Sequence, residues 1–337
     1  MKVLVMGGSG FLGRAAVEAA LARGHEVTTF NRGRSGADVP GVEAVRGDRE
    51  APADLSRLVE GRSWDVVIDT CGYVPRVVGE SVRALSGRAA TYAFVSSVSA
   101  VDGFPAKPAT EEGQGWACAP DAGPDDGDYG VLKAGCERAV EQGFDGNALI
   151  VRPGLILGPH EDVARLPWWL TRISRGGRVL APGDPSAPLQ LVDARDVAAF
   201  TLDQAERGAS GGFLVTGPAG ETTYGSWLAA CVSATGSDAE LVWVDDTFLV
   251  EREAGAFVEL PLWSPPSETR DNFWSVPTAK AEAAGLRTRP VSETVRDTWA
   301  WLREIPEDRR SYGKRNRHGM DAEKEAGILA AWDARSA

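Results

Sequence analysis

The stretch MKVLVMGGSGFLG (residues 1–13) decides the fold of this 337-residue chain. Four apolar residues, Val3, Leu4, Val5 and Met6, run straight into glycines at 7, 10 and 13, and an alanine-rich stretch with helical spacing follows at 14–23. The pattern predicts a strand, a tight turn and a helix, the arrangement that holds a pyrophosphate at a helix N-terminus. In that arrangement Gly7 permits the turn, Gly10 lets the backbone approach phosphate oxygens, and Gly13 lets the helix lie close on the strand. A glycine-rich match alone is weak evidence. Set between an apolar strand and a helix, it is strong.

Working outward, the same rhythm repeats. Further strands are expected at 26–30, 42–46, 65–69, 92–96 and 148–152, with helices at 12–23, 53–60, 76–86 and about 129–142. Alternating strands and helices predict an α/β chain with a Rossmann-type doubly wound parallel sheet and right-handed crossovers. Beyond residue 153 the pattern is less regular. It reads as a helix near 166–175, a Pro/Gly turn at 181–188, a strand at 189–192 and a helix at 195–207. Strands at 213–215 and 240–244 and helices at 223–235, 278–284, 291–304 and 321–333 complete it. This half is expected to form a smaller C-terminal α+β substrate lobe. The expected boundaries are 1–155 with about 189–208 for the dinucleotide-binding domain, and about 156–188 with 209–337 for the lobe and terminal helices.

Composition narrows the function classes. A hydrophobic fraction of 43% suffices for a sizeable core. No apolar run approaches the roughly 18 residues of a membrane span, and the first strand is too short for a signal peptide. The net charge of −12 argues against a nucleic-acid partner, whose phosphates are held by Lys and Arg. Cys71, Cys118, Cys136 and Cys231 lack metal or redox spacing, so they read as reduced thiols of a cytoplasmic protein with no metal. The Ala, Gly and Arg content suits a high-GC bacterial source. The basic patch at 308–317 reads as a solvated connector.

Two clusters carry chemistry. In DYGVLKAGCE, Tyr129 and Lys133 are four apart at the start of a helix, on one face. A phenol titrating near 10 is a poor base at neutral pH, and a neighbouring ammonium favours its ionised form. Tyr129 is therefore a candidate to exchange a proton with a substrate hydroxyl or carbonyl. Ser96, Ser97 and Ser99 follow the fifth strand, where a hydroxyl can hold the reacting oxygen against Tyr129; Ser97 is the choice among them. Serines at a strand end also satisfy backbone groups.

Together these elements resemble the short-chain dehydrogenase/reductase superfamily. RPGLILGP and VDARDVA resemble its extended, epimerase/dehydratase-like branch. FNRG (30–33), RGDR (46–49), DTCGY (69–73) and VSSVS (95–99) resemble an atypical group that includes the chloroplast stem-loop-binding proteins and many bacterial reductase-like proteins. The resemblance implies that Gly7, Ser9, Gly10, Phe11, Leu12 and Gly13 bind the pyrophosphate of NAD(P), and that Asp48 meets the adenine. It implies Cys71 and Gly72 in the loop covering the cofactor, and a catalytic set of Ser97, Tyr129 and Lys133, with Lys133 also on the nicotinamide ribose. Arg152, Pro153, Gly154 and Leu155 match the turn that passes the nicotinamide.

Two departures bear on specificity. NAD-preferring members carry an acidic residue after the second strand, where this chain reads Asn31, Arg32, Gly33 and Arg34. With guanidinium groups and no carboxylate there, NADP is expected over NAD. The acid pair that serves sugar dehydratases is replaced by Val98 and Ser99, which lowers that reaction class. Ser99 and His160 are candidate substrate contacts. Trp168 and Trp169 either line an aromatic pocket or pack in a core. Asp193, Arg195 and Asp196 read as braces.

The expected function is an NAD(P)-dependent oxidoreductase acting on a carbonyl or carbinol carbon of a small molecule, a natural-product intermediate or a nucleotide sugar. A sugar epimerase that retains its cofactor is the alternative. A non-catalytic nucleotide- or RNA-binding protein is the alternative of another class. A small-molecule substrate, no nucleic acid and no membrane are expected as partners, and a homodimer is one assembly open to the chain.

Overall fold

The computed structural model describes residues 1–34, 36–307, 310 and 318–335. The basic patch at 308–317 lies, apart from Arg310, outside the described residues. In chain order the elements begin β1 (Lys2–Met6), α1 (Phe11–Ala22), β2 (Glu26–Asn31), β3 (Glu43–Arg46), α2 (Pro52–Val59), β4 (Val66–Asp69), α3 (Pro75–Leu85) and β5 (Thr91–Val95). A single 3-10 turn at Val98–Ala100 precedes α4 (Tyr129–Gly143), β6 (Asn147–Pro153) and β7 (Leu155–Leu157). Then come α5 (Arg165–Ser174), β8 (Arg178–Pro182), β9 (Pro188–Leu189), β10 (Leu191–Asp193), α6 (Ala194–Glu206) and β11 (Gly211–Val215). The chain continues through β12 (Thr222–Thr223), α7 (Tyr224–Thr235), β13 (Glu240–Val244), α8 (Asp246–Glu251), α9 (Glu268–Phe273), α10 (Ala279–Ala283), α11 (Val291–Leu302) and α12 (Ala322–Arg335).

Two compact units result. The first comprises 1–156, 194–217 and 276–288, and the second 157–193, 218–275 and 289–337. In the first, seven strands form one sheet in the order β11-β6-β5-β4-β1-β2-β3, and every pairing is parallel. The order reverses between β1 and β4. In open α/β sheets ligands bind outside the carboxyl ends of the strands at that point.

Alternation along the strands explains the two layers. Leu4 and Met6 of β1, Val67 of β4, Tyr92 and Phe94 of β5 and Ile150 of β6 share one core with Leu55 and Leu58 of α2, Val78, Val82 and Leu85 of α3 and Cys136 and Val140 of α4. Each large side chain so buried contributes roughly 1.5–3 kcal/mol. The alanine-rich α1 packs with α6 as a separate helix pair. Small residues let α4 come in close: a Cβ at Gly135 would lie 2.6 Å from Pro75 Cγ and 2.5 Å from Cys118 Sγ. That approach draws Lys133, on the inward face of α4, into the interior.

The lobes differ from the sequence expectation in four places. The 213–215 segment is part of β11, which adds a seventh strand to the main sheet with Phe213 opposite Val151. Residues 276–288, carrying α10, also belong to the first unit. In the second unit, α5, α7 and α11 pack on one another and β8 pairs with β13 in parallel. β8 has no counterpart in the expected elements, only its last two residues falling within the turn expected at 181–188, and the expected strand at 189–192 is split into β9 and β10.

Candidate functional site

The three glycines of the first turn prove unequal. Gly7 sits at φ +108°, and a Cβ there would lie 2.8 Å from Thr70 Oγ1 and 3.2 Å from Cys71 Cβ. At Gly13 a Cβ would lie 2.8 Å from Thr70 Oγ1 and 3.0 Å from the Gly8 amide nitrogen. Both glycines are required by packing between the loops after β1 and β4. Gly10 has nothing within 4 Å of a Cβ position, and it is the N-cap of α1 with no side-chain cap. The start of α1, with Phe11 and Leu12 as its first residues, thus has open space beside its N-cap. Helix termini of this kind favour anions. The cradle fits a pyrophosphate, and buried Ser9 belongs to the same turn.

At the ends of β2 and β3 the side chains form a polar knot. Asn31 Oδ1 accepts from the Gly33 amide at 2.8 Å and from the Arg46 guanidinium at 2.8 Å, while its Nδ2 donates to Asp38 at 3.2 Å. Asp38 pairs with Arg46, whose hydrogen bond holds the carboxyl below its usual range. The expectation of no carboxylate near this strand end is corrected here: Asp38 returns to it by way of the loop. Exposed Arg32 approaches Asp48 at 3.9 Å, and Arg34 is exposed.

The catalytic candidates converge at the end of β5. Lys133 is 3% exposed, and its Nζ donates to the carbonyls of Gly72 at 2.9 Å and Val95 at 2.7 Å. It also lies 4.6 Å from the Phe94 ring centre and 5.0 Å from that of Tyr73. Burial pulls its pKa down to about 8, against nearby anionic groups that raise it. One helical turn earlier, Tyr129 opens α4 and is half exposed. Its ring lies 6.4 Å from that of Tyr73, an exposed phenol the sequence reading left unassigned. A Cβ at Gly130 would lie 2.2 Å from the Ser99 carbonyl oxygen, so the serine turn sits directly against the start of α4. Ser97 Oγ accepts the Ser99 amide at 3.1 Å, and Ser99 O accepts Trp116 Nε1 at 3.1 Å. Ser96 Oγ is buried with no hydrogen-bond partner.

Beneath this group lies a buried ion pair that sequence reasoning missed. Arg49 grips Asp69 with two nitrogens, at 2.9 and 2.7 Å, and also reaches Ser81 and Cys71. Asp69 further accepts the Tyr92 hydroxyl at 2.8 Å and the Cys71 amide at 3.1 Å. Burial pushes the Asp69 carboxyl up, and these partners more than offset it, leaving it below its usual range. The same burial drives the Cys71 thiol up to about 11, an unreactive thiol. The signal was an arginine directly after Asp48 and a carboxylate ending the apolar run VVID.

Several assignments change. The Arg152 guanidinium is committed to Glu137, at 2.9 and 2.7 Å, and to the Gly113 carbonyl at 3.1 Å, so it braces β6 to α4 and does not reach out to a nicotinamide. Pro153 is buried, Leu155 is 8% exposed, and Gly154 is held by the Val215 carbonyl with Thr216 packed on its Cα. His160 and Trp168 belong to the second unit, where His160 packs on Trp301 and Trp168 on Gly319. Trp169 is fully buried, with Nε1 on the Pro261 carbonyl and Tyr224 and Trp227 around it. It is a core residue and not a substrate contact. Among the described residues no cluster of His, Cys, Asp and Glu could hold a metal, and no helix is long and apolar enough to cross a membrane.

Residues 3–86 match the NAD dependent epimerase/dehydratase family. The chain is 33% identical over 223 residues to 2'-dehydrokanamycin reductase of Streptomyces kanamyceticus, a match covering 64% of this chain and 61% of that protein. The chain therefore spans under two thirds of this curated relative. A shorter segment of 62 residues is 44% identical to 2-alkyl-3-oxoalkanoate reductase of Stenotrophomonas maltophilia, covering 18% of this chain and 19% of that protein. Among solved structures, the Bordetella bronchiseptica enzyme WbmH in complex with NAD+ superposes with a TM-score of 0.67 at 17% identity, over 90% of this chain and 98% of that one. UDP-glucose 4-epimerase of Thermotoga maritima gives 0.64 at 18% identity, over 90% and 99%.

Proposed function

We propose that the chain, whose dinucleotide-binding half belongs to the NAD dependent epimerase/dehydratase family and so to the extended short-chain dehydrogenase/reductase superfamily, is an NAD(P)-dependent reductase of a small-molecule ketone. The observation that carries the reading is Lys133: an ammonium buried at the carboxyl ends of β4 and β5, one turn of α4 from Tyr129.

Each residue has a task that its surroundings permit. The open cradle at Gly10 and the first amides of α1 hold the pyrophosphate. When bound, the reduced nicotinamide supplies a hydride to the carbonyl carbon. Tyr129 gives its phenolic proton to the carbonyl oxygen. Ser97 has an Oγ lone pair occupied by the Ser99 amide, which leaves its own O–H to donate to that oxygen. Lys133 spends two N–H groups on Gly72 and Val95, so its third is left for the ribose and for favouring the ionised form of Tyr129.

NADP is the proposed preference, with Arg32 and Arg34 facing the 2′-phosphate. The proposed substrate class is an amine-bearing sugar ketone, as in the Streptomyces relative. The net charge of −12 favours encounter with such a cation over an anionic nucleotide sugar. The second reading, a sugar epimerase that keeps its cofactor, is supported by the family match at 3–86. Absorbance of the reduced nicotinamide separates the two. With 2'-dehydrokanamycin and NADPH the purified chain should consume the cofactor in step with alcohol formed. Inversion of UDP-glucose without net consumption would replace this reading with the second.

A further inference from the structure

The turn after β2 is built around a guanidinium. Arg46, at the end of β3, is fixed by Asn31 Oδ1 at 2.8 Å, and Gly33 lies on top of it. Gly33 has φ +70°, and a Cβ there would fall 2.9 Å from Arg46 Nε, so glycine serves both the turn and the close approach. Two NH groups of Arg46 face Asp38 in the paired arrangement that suits a carboxylate or a phosphate. Arg46 stays 49% exposed at its side chain, and Asp38 21%. Arg32 and Arg34 flank the same strand end, and Asp48 stands 3.9 Å from Arg32. Two guanidinium groups, Arg46 and Arg32, thus meet two carboxylates at this strand end, and exposed Arg34 follows two residues after Arg32.

Resting on the dinucleotide reading above, we propose that Arg46 is part of the 2′-phosphate site and that Asp38 is an internal substitute for that phosphate. Asn31 orients Arg46 whether or not Asp38 is bound, so the fork is already aimed. A 2′-phosphate displaces the Asp38 carboxylate from Arg46 and takes its two hydrogen bonds. A ribose with a free 2′-hydroxyl cannot do so, and with it the Asp38–Arg46 pair stays closed. Asp38 therefore sets how strongly the chain favours NADP(H), by competing with the phosphate.

Titration calorimetry on the full chain tests this without turnover. Asp38→Asn should bind NADPH about tenfold more tightly, since the competing charge is gone, with NADH affinity unchanged. Arg46→Gln should weaken NADPH about tenfold or more and again leave NADH unchanged. Asp38→Ala, in an exposed loop, should follow Asp38→Asn. Thermal unfolding of each free variant checks that the fold persists. A loss of NADH affinity in Asp38→Asn would make Asp38 a holder of the ribose diol and overturn the proposal, as would unchanged NADPH binding in Arg46→Gln. If the unaltered chain binds neither dinucleotide, the functional reading itself falls, and the inference with it.

Discussion

Replacing Gly10 or Gly13 by valine should separate binding from folding within one turn of helix. At Gly13 the new side chain meets Thr70 Oγ1 at 2.8 Å and the Gly8 amide nitrogen at 3.0 Å. Neither can retreat cheaply, because Thr70 Oγ1 donates to the Met6 carbonyl at 3.0 Å and the other atom is backbone. Overpacking of this kind costs about 1–3 kcal/mol and sometimes more; a branched residue puts Gly13→Val at about 3 kcal/mol. At Gly10 the side chain enters open space, and the only stability cost is a poorer N-cap, about 0.5–1 kcal/mol. Its effect falls on the ligand. Losing two charge-assisted hydrogen bonds from the first amides of α1, at about 1.5 kcal/mol each, corresponds to roughly hundredfold weaker NADPH binding. Urea unfolding followed by tryptophan fluorescence reads the first quantity, and calorimetry the second. A Gly10→Val chain that binds NADPH normally would refute the cradle. A Gly13→Val chain as stable as the parent would refute the packing argument.

Three further outcomes follow from the same geometry. Tyr129→Phe should lower turnover about 10²–10⁴-fold with dinucleotide affinity unchanged, measured by steady-state rates and calorimetry; near-normal turnover would move the proton transfer elsewhere. Burial pulls the Lys133 ammonium from its ordinary value of 10.5 down to about 8, so the unfolded chain holds more protons between those values and stability should rise over that range. Urea midpoints should show this rise in the parent and not in Lys133→Met. Arg49→Met leaves Asp69 buried without its cation and should cost about 3–5 kcal/mol, most of it recovered in Arg49→Met/Asp69→Asn; equal costs for the single and double variants would mean that the pair is not what holds this region.

What the sequence disclosed was local. The glycine turn and the Tyr129–Lys133 spacing each lie within one or two adjoining elements, so periodicity and turn chemistry sufficed. The Arg49–Asp69 pair did not show, because its members are twenty residues apart and meet only once β1 and β4 are neighbours. Asp38 escaped notice for a similar reason: a loop brings it back beside Asn31. β11 offered only a short apolar run, and its place in the sheet depends on β6, some sixty residues earlier. Arg152 looked available until α4 supplied Glu137. Trp169 shows the converse, since helical spacing cannot tell a core indole from one lining a pocket.

The interleaving of the two units has a consequence during synthesis. β11 is an edge strand of the main sheet, and the segment that dresses it arrives more than sixty residues later. Lys280 donates to the Gly212 carbonyl at 2.6 Å and stands 4.8 Å from the Phe213 ring, while the Ala284 carbonyl takes Gln204 at 3.0 Å and Arg207 at 2.7 Å. A charged lysine on an edge is a common guard against strands of other molecules adding to it. A nascent chain that has emerged only as far as residue 275 carries the edge without its guard. Translation stalled or terminated in that window would release a product prone to self-association, whereas one ending just past 288 retains the whole covering segment.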